Sequence, residues 1–416
     1  MRSFVSPAGP SRAYTATVRG PRILLPIAGA FAGMLVLTAC SGPDDNTSKP
    51  VAKSSAEAPD SAHSGHTGKA PKGAALRSGE RFLELSMPEP YTPKAPTYGT
   101  DDYRCFLLDP KLKKPAFVTG VDVVPGRPEL VHHVIMFRVG PDAIAGAKTE
   151  DVAAAGEGWT CFGGTGLDSD PGSALNSAPW LAAWAPGGGE RLLADDIGIP
   201  LEAGSRIVMQ VHYNLRAGKG SDTTSAKLRL ASGTSKLSPL ETMLMPAPVE
   251  LACRPGKTQK LCDRDEAVRD VKGRFGDQAG QTVVGLQILC DGNFQNPKAS
   301  PVQRCDRRVR EAATVRAVAG HMHLLGRSIT VDLNPGQPGE RRLLDIPVWD
   351  FDNQGAKPLD KPAKLKPGDV LRVTCRHDQG LRDQVPALKG QPERYVVWGE
   401  GTTDEMCLGI VMATKP

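Results

Sequence analysis

Two histidines one residue apart, His321 and His323, stand in the apolar run Val318-Ala319-Gly320-His321-Met322-His323-Leu324. On a β-strand the side chains at i and i+2 share a face, so both imidazoles can reach one point and clamp a metal. The competing reading is a pair of polar positions on a wetted strand face. Three further runs carry ligand types. In Leu130–Phe137, His132 and His133 are adjacent. Adjacent strand residues face opposite ways, so these two share a metal only across a twist or bulge; otherwise they are core or surface histidines. In Arg206–Asn214 the alternation puts Ile207, Met209, Val211 and Tyr213 on one face and Gln210, His212 and Asn214 on the other. A polar face with one histidine is usually solvated. In Gly401–Leu408, Met406 beside Cys407 reads as core filler at a strand start. A thioether together with imidazoles nevertheless suits copper, above all Cu(I), better than zinc or iron.

The elements that must position these residues are strands. With 416 residues, Gly 45 and Pro 36, the chain suggests about two domains of strands and turns rather than helices. Short β-like runs recur between Gly and Pro: Ala116–Val124, Leu130–Val139, Arg206–Leu215, Val315–Leu324, Ile329–Leu333, Val370–Cys375, Tyr395–Gly399 and Leu408–Ala413. Regular spacing of that kind predicts β-sandwich or barrel domains, here residues 80–236 and 237–416. Within the second, residues 253–305 are richer in charge, with a weak helical signal over Glu266–Arg274.

The first 40 residues read as a targeting segment. Arg2, Arg12, Arg19 and Arg22 precede the apolar run Ile23–Leu37, which ends in Leu37-Thr38-Ala39-Cys40. The ending resembles a bacterial lipobox, which implies lipidation of Cys40 and an exported protein anchored to the outer face of the cell membrane. A plain signal peptide or short membrane helix is the alternative. Those four arginines account for most of the formal charge of +5, leaving +1. Nothing in the balance argues for nucleic acid. Residues 41–79 are Ser, Ala, Pro, Gly, Lys and Asp, a disordered tether in which His63 and His66 are solvated. Beyond Cys40 lie eight cysteines, at 105, 161, 253, 262, 290, 305, 375 and 407, with no Cys-x-x-Cys. An even number in an exported chain favours disulfides over zinc-ribbon or thioredoxin chemistry.

Taken in order, Asp102-Tyr103-Arg104-Cys105, Val131-His132-His133, Gly158-Trp159-Thr160-Cys161, Ala183-Trp184-Ala185, Gln210-Val211-His212-Tyr213, His321-Met322-His323 and Asp404-Glu405-Met406-Cys407 resemble the copper type II, ascorbate-dependent monooxygenases. That is the family of peptidylglycine α-hydroxylating monooxygenase and dopamine β-monooxygenase, and the resemblance runs from about Met87 to Met412. It implies an all-β chain of two jelly-roll sandwiches, each with one copper ion. His132, His133 and His212 match the electron-transfer copper ligands; His321, His323 and Met406 match the oxygen-binding copper and are the catalytic set. Cys105–Cys161 and Cys375–Cys407 fall where the family has disulfides, the second pinning Met406. Cys253, Cys262, Cys290 and Cys305 leave three pairings open.

The expected activity is hydroxylation of a substrate C–H bond with O₂ and an external reductant such as ascorbate. The alternative is a copper-binding or copper-delivery lipoprotein that keeps the ligands without the chemistry; a third reading is a sandwich with incidental histidines. The chain departs from the peptide-amidating member where that enzyme's Arg, Asn and Tyr hold the substrate. Ala319, Leu408 and Ile410 stand there instead, which disfavours a peptide ending in free glycine carboxylate. One family disulfide of the first domain is also missing. The expected pocket is more apolar, and the expected substrate a small organic molecule or an aromatic.

Overall fold

The computed structural model describes residues 74–415 except 95–99, 155–156, 168–179, 187, 217, 291 and 352. Cys40, the expected signal peptide, His63 and His66 lie outside the described residues. In chain order the strands are β1 (Arg81–Ser86), β2 (Asp101–Leu108), β3 (Ala116–Val124), β4 (Val131–Val139), β5 (Trp159–Thr160), β6 (Trp180–Trp184), β7 (Arg191–Leu192), β8 (Ile197–Leu201), β9 (Arg206–Asn214) and β10 (Ser225–Ser232). They continue as β11 (Ser238–Pro246), β12 (Glu250–Leu251), β13 (Val302–Arg308), β14 (Ala313–His321), β15 (Gly326–Leu333), β16 (Arg341–Ile346), β17 (Lys357–Leu365), β18 (Val370–His377), β19 (Val396–Val397) and β20 (Leu408–Thr414). The helices are α1 (Ile144–Ala153), α2 (Arg264–Phe275) and α3 (Asp277–Leu289).

The all-β expectation holds, and the strands form sandwich layers. In the first half β1-β10-β3-β8, with β7 on β3, faces the sheet β5-β2-β9-β4-β6. Between them lie the fully buried Val118, Met136, Ile207, Met209 and Leu228. In the second half β11-β20-β14-β17 faces β13-β18-β15-β16, over Met245, Val315, Ile329, Val331 and Val373. Each such side chain contributes roughly 1.5–3 kcal/mol by leaving water. The halves share a sheet as well as a chain. β8 and β11 pair in parallel at Ser238↔Ile197 and Pro239↔Gly198, joining one layer of each into nine strands.

Several expectations need correcting. The run Val315–Leu324 is not strand throughout: β14 ends at His321, and His323 sits on the turn into β15. Of the run Tyr395–Gly399, Val396–Val397 forms a short strand against Glu250 and Leu251, and Trp398 makes an isolated bridge to Glu405. The helix expected over Glu266–Arg274 is α2, capped by the Asp263 side chain accepting from the Glu266 amide, 3.0 Å. It breaks at Gly276, φ 85°, where α3 begins unannounced by its sequence. Gly280, Gly285, Val283 and Val284 are poor helix formers, and α3 owes its form to packing on α2. The tether stops short of Glu80, for the Ala74 amide donates to Glu190 Oε2 at 3.1 Å. The fully buried Arg229 guanidinium donates to the Ala74 and Ala75 carbonyls and pairs with Glu190. A buried cation demands such partners.

Cys105–Cys161 and Cys375–Cys407 are bonded as the resemblance implies; the open pairs are Cys253–Cys262 and Cys290–Cys305. Among the described residues no helix is long and apolar enough to cross a membrane.

Candidate metal centre

His132 and His133 can act together because β4 carries the bulge that adjacency requires. Val131 pairs with Tyr213 and His133 with His212, so His132 is the extra residue. His212 reaches the same point from β9. Its face is not solvated as alternation suggested: His212 is 1% exposed, and Gln210 beside it donates to the Gly164 carbonyl at 2.8 Å. The His212 Nδ1 lies 3.0 Å from His132 Nδ1 and 3.3 Å from His133 Nδ1. Two imidazole nitrogens on one first-row metal, each at ~2.0–2.1 Å, sit about 3.3 Å apart in tetrahedral geometry. The three rings are therefore arranged as a ligand set would be.

Sequence reasoning missed the group that aims His212. Asp101 Oδ1 lies 2.8 Å from His212 Nε2 and accepts from Thr402 Oγ1 at 2.7 Å. With Nε2 held as the donor, Nδ1 keeps its lone pair for a metal. Burial opposes ionisation of Asp101, but the His212 hydrogen bond and charge and the Thr402 hydrogen bond outweigh it and hold the carboxyl well below its usual range. Tyr103 stacks on His212, centroids 3.9 Å apart, and donates to the Glu400 carbonyl at 2.6 Å. No spacing rule marks Asp101, since its partners are 111 and 301 residues away.

The second set forms at the end of β14. His321 and His323 have ring centroids 5.1 Å apart, with planes at 83°. Their shared face survives the loss of strand pairing at His323. His321 Nδ1 donates to Gln354 Oε1 at 2.6 Å, and His323 Nδ1 faces the Asp404 carbonyl at 3.3 Å. Both bonds leave Nε2 free to bind. Met406 is 7% exposed and lines the same cavity as the two rings. Its loop is fastened on three sides. Glu405, fully buried, accepts from the His323 and Leu325 amides and lies 3.3 Å from His377 Nε2. Asp404 takes both Arg274 nitrogens, at 2.7 and 2.6 Å. Cys407 is bonded to Cys375 of β18.

The two sets face each other. The His133 and His321 centroids are 6.4 Å apart, and Phe351 stacks on His132 at 5.0 Å. All five of His132, His133, His321, His323 and Met406 line one cavity of 1390 Å³. Ala319, Leu408 and Ile410 line it too; β14 and β20 pair Ala319 with Ile410 and His321 with Leu408. The wall beside His321 is therefore apolar at these three positions.

Burial and the neighbouring imidazoles push His132 and His133 well below the usual histidine pKa and His321 down to about 3; burial also lowers His323. Neutral imidazoles are the form that binds metal. Unfolded, these groups titrate near ~6.5. Folded values below the unfolded one mean the unfolded chain binds more protons, so stability is full above about 6.5 and falls as pH drops from there. The urea midpoint of the metal-free protein is expected to fall steadily from pH 7 to pH 5. A flat profile over that range would contradict the four shifts.

No protein-family model matches the chain, and no curated protein matches it. Among solved structures it is similar to an allantoicase, with TM-score 0.19 and 9% identity over 71% of this chain and 86% of that one. It is also similar to a fucolectin from the serum of Morone saxatilis (striped bass), with TM-score 0.16 and 8% identity over 81% and 97%. Overlaps this slight carry no argument about function.

Proposed function

We propose that this chain is an exported, lipid-anchored copper monooxygenase that hydroxylates a C–H bond of a small organic molecule. One observation carries the reading: two rings of a His₃ cluster and a His₂ pair with a methionine at hand open on one cavity, their nearest rings 6.4 Å apart. His132, His133 and His212 would hold one copper through Nδ1, and His321, His323 and Met406 the other. Copper there would supply one-electron steps between Cu(I) and Cu(II), for which imidazole and thioether are suited ligands. One atom of O₂ enters the C–H bond and the other leaves as water, with two electrons and two protons drawn from a reductant such as ascorbate.

The protein's share is positional. Asp101 and Gln354 fix the tautomers of His212 and His321. Glu405 holds the turn carrying His323 against the loop carrying Met406. Ala319, Leu408 and Ile410 offer the substrate an apolar wall and no countercharge of their own. The four disulfides suit an oxidising compartment, which supports export.

Metal analysis after copper loading tests the reading. Two coppers per chain are expected, with Cu(II) EPR signals that ascorbate abolishes and O₂ uptake once substrate is present. Zinc, or no metal, in the loaded protein would refute it. Two reducible coppers without O₂ uptake over a broad substrate panel would favour the copper-delivery alternative.

A further inference from the structure

Apart from histidines, two cationic side chains among the described residues line the cavity, Arg191 and Arg316. Arg316 is paired with Asp196 at 2.7 Å. Arg191, partly buried, makes no ion pair and no side-chain hydrogen bond among the described residues. The strand register explains why. β7 sets Leu192 opposite Gly120 and Arg191 opposite Val121, and cross-strand partners share a face. On the Gly120 face, Leu192 and the Arg229 stem stand 2.8 and 2.9 Å from where a Cβ of residue 120 would lie. Glu190, next to Arg191 in the chain, alternates onto that face and is committed to Arg229. Arg191 is thereby turned the other way with Val121, toward the space between the two sheets, and away from its nearest acid. None of its guanidinium nitrogens is sealed from solvent, so a ligand can reach them. Burial alone lowers its pKa, with no neighbouring acid to raise it, yet a guanidinium keeps its charge in any protein.

A cation drawn out of water without a counterion costs free energy until an anion meets it. We propose that Arg191 is the polar anchor of the substrate site and takes a carboxylate, so that the substrate is an organic acid with an apolar body. The planar guanidinium fork fits both carboxylate oxygens at once. A phosphate fits the same fork, but its second charge would find no second free cation, since Arg316 is held by Asp196. The body then lies along Val121, Ile199, Leu240 and Ile410 of the same cavity. Ala319, Leu408 and Ile410 offer no countercharge beside His321, and Arg191 supplies one from the other half of the chain. The anchor is fastened to the strand of the His₃ set. Trp184 pairs with Val134 of β4, and its Nε1–H donates to the Gly188 carbonyl at 2.8 Å, three residues before Arg191. The assignment rests on the monooxygenase reading for its meaning as a substrate site, but not for its test.

The test is calorimetric binding at pH 7 to the full chain without copper, so that no probe can ligate a metal. The probes are 4-phenylbutyrate, its neutral isostere 4-phenylbutyramide, and 4-phenylbutyl phosphate. The carboxylate is expected to bind about tenfold or more tighter than the amide, as charge-assisted hydrogen bonds allow. Arg191→Met, which keeps the apolar stem, is expected to cut that preference below about threefold while amide binding stays put. Arg316→Met is expected to keep it. Because Arg191 has no partner to strand, Arg191→Met should be at least as stable in urea as the parent. Equal binding of carboxylate and amide, tightest binding of the phosphate, a preference that survives Arg191→Met or vanishes in Arg316→Met, or a destabilised Arg191→Met protein would overturn the assignment. Copper analysis on the same preparations keeps the two ideas apart. A carboxylate preference in a protein that takes no copper sinks the monooxygenase and leaves the anchor standing; two coppers without the preference do the reverse.

Discussion

Met406→Leu protein is expected to hold one copper per chain where the parent holds two, and to lose O₂ uptake with substrate by more than about 100-fold. The magnitude follows from the kind of group removed. Changes behind a metal's ligands cost about 10–100-fold in affinity or activity, and loss of a ligand costs more. Leucine keeps the apolar volume of a side chain 7% exposed in the wall, so the stability cost is expected below about 1.5 kcal/mol. Alanine would confuse the result by leaving a hole in a packed loop, about 2–5 kcal/mol. The remaining copper should carry an EPR signal of nitrogen ligation alone, since His132, His133 and His212 are untouched. Retention of two coppers by Met406→Leu would remove the methionine from the site and most of the case for copper over other metals.

The second large effect belongs to Glu405, a residue that need touch neither metal nor substrate. Its buried carboxylate receives the His323 and Leu325 amides and lies against His377. Burial works against its ionisation, yet the hydrogen bond and charge of His377 hold its pKa below the usual carboxylate range. Glu405→Ala strands two buried N–H groups and empties the space between the His323 turn and the Met406 loop. The expected loss is about 3–5 kcal/mol of unfolding free energy, the range for removing one partner of a buried ionic network. Metal analysis of the folded fraction should show the His321/His323 site emptied and the His₃ site filled. Glu405→Gln, which keeps the shape and one acceptor, should lose roughly 1–3 kcal/mol. A Glu405→Ala protein as stable as the parent in urea would show that the amides find other partners and that the clamp is incidental.

How much of this was legible in the sequence differs from residue to residue. The sandwich class was, because β3 and β9 match their apolar runs almost end to end. The convergence of His132 with His133 was legible only as a condition, that a bulge be present. A bulge is a property of strand pairing and needs the register of β9 to become visible. The burial of the His212 face was not legible at all. Alternation shows that two faces differ, but what covers the second face is decided by another part of the chain. The same limit hid Asp101, Glu405 and the joint between β8 and β11. Each works through partners dozens or hundreds of residues away, and local spacing carries no information about such pairs. α3 was hidden for the opposite reason: its local preferences run against helix, and tertiary packing overrode them.

Asp101 has a consequence that reaches past His212. It receives His212 Nε2 on one side and Thr402 Oγ1 on the other, and Thr402 lies four residues before Met406. One carboxylate thus belongs to the surroundings of both centres, and its charge is divided between them. Reciprocity of free energies then applies: to whatever extent filling the His₃ site alters the pull on Thr402, filling the other site alters the hold on His212 by the same amount. The two proposed centres would share no ligand, yet through Asp101 the occupancy of each would enter the other's affinity.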